Sequence, residues 1–140
     1  MSKDEFIRLV VGKPWVDRAC SFEAMDCWGV VVLYFRYVYG VEIPHVIGYE
    51  TGETSIESGF AEQVTDKKWI KVEKPSGDGV AFMAFKNGVA SHVGVVVDGL
   101  YILHSAGTER CSGQVRYDKL NVFNRTNPSI EFYRYMGLKC

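Results

Sequence analysis

The 140 residues contain no Cys-x-x-Cys pair, no internal repeat and no low-complexity tract, and the four prolines are scattered as punctuation. Each absence narrows the reading. Without paired or regularly spaced cysteines, Cys20, Cys27, Cys111 and Cys140 do not outline a disulfide framework. A zinc site would have to be assembled from Cys20, Cys27, His92, His104 or Cys111 on separated segments, so no metal is expected. Without a repeat or a linker, residues 1–140 read as one domain. The longest apolar stretch, Val30 to Val41, is interrupted by Arg36 and falls well short of the ~20 residues of a membrane helix. Charge of one sign is also lacking: 16 lysines and arginines face 17 aspartates and glutamates, a formal charge of -1. No global field draws the chain to nucleic acid or anionic lipid, so activity must sit in a local site. Met1-Ser2-Lys3-Asp4-Glu5 is followed by only Phe6-Ile7 before Arg8, which gives no export leader and predicts a protein that stays in the cytoplasm.

What is present is a core. At 47% hydrophobic and 14% aromatic residues, the chain can bury a substantial interior. Asp4 to Val11 reads as a short amphipathic helix stopped by Gly12. Trp28 to Tyr39 has the propensity of a strand, but its length, with Asp26 as N-cap and Gly40 as stop, predicts a helix buried nearly all round. Residues 41 to 75 are irregular, with one candidate helix over Ser55 to Val64, and Glu50, Glu53, Glu57 and Glu62 form a solvated face there. From Gly79 onward short β runs follow: Val80 to Phe85, Ser91 to Val97, Leu100 to His104, Gln114 to Tyr117 and Glu131 to Tyr135. Asn87-Gly88 and Asp98-Gly99 between them supply residues that tolerate positive φ and so mark hairpins. The fold class is α+β, with N-terminal helices packed on a five- or six-stranded antiparallel sheet.

Chemistry concentrates on three side chains. Cys27 follows the N-cap at the first turn of a buried helix, where free N–H groups and the helix dipole favour a thiolate. His92 opens one predicted strand and His104 ends the next, so the Asp98-Gly99 turn brings the imidazoles close. An imidazole beside a thiol can take its proton and later deliver it to a leaving amine, and a second polar group can orient the first. Cys20, Cys111, Cys140 and His45 read as ordinary structural residues.

Asp26-Cys27-Trp28-Gly29 at a helix start, Pro75-Ser76-Gly77-Asp78 before a strand, Ser91-His92-Val93-Gly94-Val95-Val96, and His104-Ser105-Ala106-Gly107 together resemble the NlpC-type papain-like cysteine peptidases, from about Gly12 to Tyr135. The resemblance implies Cys27 as nucleophile, His92 as general base and His104 as the group that orients it, with no cofactor and no metal. It implies a peptidoglycan stem peptide as partner, contacted by Asp26 at its free amino end and by Ser91 in the same pocket. Trp15 stands near the place of an oxyanion-site tyrosine, and Trp28 replaces a groove-lining serine. Asp-Cys-Trp-Gly is similar to the branch found with tail proteins of long-tailed bacteriophages. That likeness implies a tail component or assembly factor, located in the host cytoplasm during assembly and then in the virion tail, with other tail proteins as partners. The implied reaction is cleavage of a γ-D-glutamyl-diamino acid type bond; alternatives are a structural tail protein with weak or no hydrolysis, or an amidase or acyltransferase acting on another amide.

Overall fold

The computed structural model describes residues 1–43, 68–107 and 113–138. The expected helix over Ser55 to Val64, the spaced glutamates, His45, Cys111 and Cys140 lie outside them. Helix α1 spans Lys3–Val10, capped by the Ser2 hydroxyl accepting from the Glu5 N–H, and buries Phe6 and Val10. Helix α2 spans Cys27–Tyr34, and Phe35–Tyr39 continues it as a π-helical turn that ends at Gly40, whose φ of 70° is readily adopted only without a Cβ. All eight residues of α2 are buried. Val30, Val31 and Val32 would suit a strand, but the caps and burial on every side override that preference.

Six strands follow: β1 Trp69–Val72, β2 Val80–Lys86, β3 Val89–Val97, β4 Tyr101–Ala106, β5 Gln114–Lys119 and β6 Ile130–Tyr135. They form one antiparallel sheet in the order β1-β6-β2-β3-β4-β5. The two hairpin turns adopt the positive φ that their sequences suggest, 53° and 77° at Asn87-Gly88 and 55° and 68° at Asp98-Gly99. A third helix, α3 at Leu120–Thr126, and the strand β1 are additions to the elements expected from the sequence.

The sheet is covered on both faces. Ala81, Met83, Val93, Val95, Val97, Leu103 and Val115 bury with α1 and α2, and α2 packs directly on β3 and β4. Val80, Phe82, Ala84, Val96 and Ile102 bury on the other face with Leu120 and Phe123 of α3 and with Ile130 and Phe132. The pairing of β2 with β3 is irregular at one point. Ala84 pairs with His92 while Phe85 pairs with Ala90, so Ser91 is the extra residue of a β-bulge. The insertion breaks the alternation of β3: Ala90 and Val93 both bury in the cluster around α2, though three residues apart.

Gly94 sits in a tight part of the sheet. A methyl group there would stand 2.5 Å from the Phe82 ring, 2.9 Å from the His104 Cβ and 2.9 Å from the Leu103 carbonyl oxygen. Gly94→Ala is expected to destabilise the fold by roughly 1–3 kcal/mol through overpacking, read from the midpoint of denaturant unfolding.

Candidate active site

The start of α2 is held by one carboxylate. Asp26 accepts from the Gly29 N–H at 2.8 Å through Oδ1 and from the Arg18 N–H at 2.9 Å through Oδ2. A side chain at Gly29 would collide with the Ala19 carbonyl oxygen, so the helix begins pressed against the loop that precedes it. Cys27, the first helical residue, is a buried thiol, 7% exposed. Ser105, on β4, donates to the Met25 carbonyl at 2.7 Å and ties the helix start to the strand that carries His104.

His92 and His104 meet diagonally across β3 and β4. The register pairs Val95 with Leu103 and Val97 with Tyr101, and the Nε2 of His92 lies 2.7 Å from the Nδ1 of His104. The series continues: His104 Nε2 is 2.8 Å from Asp118 Oδ2, and Arg116 grips the same carboxylate, Nε to Oδ2 at 3.1 Å and Nη2 to Oδ1 at 3.3 Å. The direction of these bonds follows from chemistry. An ionised carboxylate only accepts, so His104 carries its proton on Nε2 and accepts on Nδ1. His92 then donates from Nε2, and its Nδ1 keeps the lone pair of a base.

Both imidazoles rest on aromatic rings of the α3 face. Phe82 lies 5.7 Å from His92 and 6.1 Å from His104, centroid to centroid, and Phe123 lies 6.2 and 5.3 Å from the same two. Cys27 belongs to the cluster on the α2 face. The bulge at Ser91 joins the two faces, because Ala90, one residue before it, buries with Cys27, and His92, one residue after it, joins the imidazole pair.

Burial disfavours the charged imidazole. It pushes His92 down to about 3, helped by the nearby His104 and Lys86. His104 is also lowered by burial, against the opposing pull of Asp118. Burial alone would raise Asp118, but Arg116 and His104 outweigh it and hold the carboxyl below its ordinary range. The pair therefore rests neutral beside an ionised Asp118 at neutral pH. A cavity of about 280 Å³, lined by His104, Arg116, Asp118, Val122, Phe123 and Thr126, opens on this end of the sheet. A larger one of about 670 Å³, near Tyr39, Asp78 and Arg134, lies at the far end of β2 and is lined by neither cysteine nor histidine.

The remaining expected site residues lie at the helix start, at the bulge and beside the end of β4. Asp26 is 2% exposed and accepts from two backbone N–H groups, which secures the start of the helix. Trp28 is 2% exposed within the core, where every residue of α2 is buried. Ser91 is exposed at the bulge and donates to the Ala84 carbonyl at 3.2 Å. Trp15 is half-buried against Gly107, with its backbone N–H donating to the Gly113 carbonyl, and clamps the end of β4. Asp118 joins the site without having been expected there, since the sequence pattern ends the strand at Tyr117 and β5 instead runs to Lys119. Among the described residues, no group of His, Cys, Asp and Glu is arranged to hold a metal ion.

An α2-on-sheet framework with a cysteine at the helix start and linked imidazoles on adjacent strands is a papain-like arrangement. Residues 12–126 match the NlpC/P60 family, and the chain belongs to it. The fold is similar to that of the NlpC/p60 domain of the peptidoglycan hydrolase SagA, with a TM-score of 0.58 at 17% identity over 95% of each chain. No curated protein matches the chain.

The neutral imidazole pair makes stability fall in acid. Below the ordinary imidazole value of 6.5 the unfolded chain takes up protons that the folded His92 refuses, so stability falls as the pH drops from 6.5 toward about 3. The slope attributable to His92 is at most about 1.4 kcal/mol per pH unit. Denaturant unfolding of the wild type and His92→Gln between pH 7.5 and 4.5 checks this, with a flatter dependence expected for the variant.

Proposed function

We propose that the protein is a cysteine peptidase that hydrolyses peptidoglycan stem peptides, with Cys27 as nucleophile, His92 as general base and acid, and His104 as its orienting partner. The observation that carries the proposal is the 2.7 Å bond between His92 Nε2 and His104 Nδ1, which leaves His92 Nδ1 as the basic nitrogen. Membership of the NlpC/P60 family and likeness in fold to a domain of a peptidoglycan hydrolase support the choice of substrate.

In this scheme the Cys27 thiol gives its proton to His92 Nδ1 as the sulfur bonds to the amide carbon. The backbone N–H of Cys27 at the helix start faces the oxyanion. Collapse of the adduct breaks the C–N bond, and the proton on Nδ1 passes to the leaving amine. Water then attacks the thioester, delivers one proton to His92 and releases the acid, and that proton returns to the sulfur. The bond cut is of the γ-D-glutamyl-diamino acid type, and the setting is a bacteriophage tail or its assembly, a reading supported by Asp26-Cys27-Trp28-Gly29.

A second reading is favoured by one observation: Cys27 buries on the α2 face while both imidazoles pack on Phe82 and Phe123 of the other. In that reading the fold serves tail assembly as a structural part with little hydrolysis. Substitutions separate the two. Cys27→Ala is expected to abolish release of stem-peptide fragments while melting near the wild-type temperature, His92→Ala to be nearly as severe, and His104→Gln to lose about 10²–10⁴-fold. Product analysis by mass spectrometry on purified muropeptides reads the outcome; an inactive wild type whose Cys27→Ala variant still supports tail assembly supports the structural reading.

Iodoacetamide offers a direct probe of the thiol. Cys27 is expected to alkylate before the other cysteines near neutral pH, because the helix start favours its thiolate. Peptide mapping after partial labelling checks the order, and first labelling at Cys20, Cys111 or Cys140 contradicts the assignment.

A further inference from the structure

We infer that Asp118 is a positioning residue of this site, a fixed anion that selects the tautomer of both histidines, and that Arg116 aims it. The inference rests on the assignment of His92 as base and extends it by two residues on β5.

The register makes the arrangement specific. His104 pairs with Arg116, Ser105 with Val115 and Ile102 with Asp118, so Arg116 and Asp118 stand on the histidine face of β5, one opposite His104 and one diagonal to it. Arg116 without Asp118 would place a cation against His104 and oppose its protonation. With Asp118 between them, the guanidinium spends its donors on the carboxylate in a two-point grip, and the carboxylate turns Oδ2 to His104 Nε2 at 2.8 Å. An imidazole has two neutral tautomers of similar energy. Here only one of them satisfies the whole series, because a proton on His104 Nδ1 would face the proton on His92 Nε2 and leave Asp118 without a donor from the histidine pair. The base lone pair on His92 Nδ1 is thereby fixed from the far end of the series, by a carboxylate that does not touch His92.

The same anion acts during turnover. When His92 Nδ1 takes the thiol proton, the pair carries a positive charge beneath the rings of Phe82 and Phe123, and Asp118, bonded to His104, supplies the compensating charge. Among the described residues, the charged groups acting on the pair are Lys86 of β2 and Arg116 with Asp118 of β5; Val122 and Phe123 of α3, which line the adjoining cavity, carry no charge.

The rate of Cys27 alkylation by iodoacetamide against pH, and imidazole ¹⁵N chemical shifts, test the inference without any cell-wall substrate. In the wild type both histidines are expected to report protonated Nε2. Asp118→Asn and Asp118→Ala are expected to mix the tautomers and move the acidic limb of the alkylation profile to lower pH, since loss of an anion makes the imidazolium a stronger acid. Arg116→Gln should move the limb the opposite way. On muropeptides the Asp118 variants should lose about 10–100-fold in kcat with little change in KM, as an orienting group once removed does. Should an Asp118 variant fail to fold, Arg116→Gln and Asp118→Glu carry the test, the latter retaining the limb near its wild-type position. Unchanged ¹⁵N shifts and an unmoved limb in folded variants overturn the role of Asp118 whatever the substrate is, whereas absent muropeptide cleavage by the wild type, with shifts as expected, overturns the proposed reaction and leaves the tautomer assignment standing.

Discussion

The arrangement depends first on the Asp26 carboxylate. Its two oxygens bind N–H groups eleven residues apart, Arg18 in the loop and Gly29 in the helix, so one side chain fixes both where α2 begins and where the loop before it lies. Such a cap supplies on the order of 1 kcal/mol by itself. Its larger effect is geometric. With Gly29 against Ala19 and Ser105 bonded to Met25, the first residue of the helix cannot slide along its axis without breaking contacts on the loop and on β4 together. Cys27 inherits that fixed position, in a helix whose remaining residues are all buried.

The sheet performs the matching task for the imidazoles. Alternation along β4 sends Ser105 toward the helix and His104 toward α3, so neighbouring residues serve opposite faces. The bulge at Ser91 alters that alternation on β3 where the strand begins, which is the place where a chain can bring a residue of one face near the edge of the other. Arg116 and Asp118 extend the polar line on β5 to the outer edge of the sheet, where the side chains are more exposed, at 58% and 27%. Polarity thus increases from the core outward along one row of three strands.

Much of this is legible in the residues. Asp26 and Gly40 bracket the central helix, and the two Asx-Gly turns give the meander from β2 to β4 and the closeness of His92 to His104. The register differs by one residue from a turn centred between Asp98 and Gly99, which makes the two histidines diagonal neighbours instead of nearly opposite ones. The elements that local patterns do not reveal have non-local causes. β1 has four residues, two of them exposed, and among the described residues it pairs with β6, some sixty residues later. Helix α3, Leu120–Thr126, has no side-chain cap and carries asparagines and a valine of modest propensity; its Leu120 and Phe123 hold it on the sheet. Asp118 lies just beyond the anticipated end of its strand, and no periodicity within β5 points to a histidine on β4. Likeness of motif assigns Asp26 and Trp28 to a substrate, while their burial comes from helix packing that no local pattern shows.

The strand order has a consequence for how the chain is made. β6, last in sequence among the six, is inserted between β1 and β2 in the sheet. Until Ile130 to Tyr135 have left the ribosome, β1 has no partner strand and one edge of β2 stays open. The helices and the meander can assemble earlier from contacts close in sequence, but closure of the sheet awaits the emergence of β6. During that interval Trp69 and the flank of β2 are uncovered apolar surface, so the nascent chain passes through a stage in which an unpaired strand edge invites association with its neighbours.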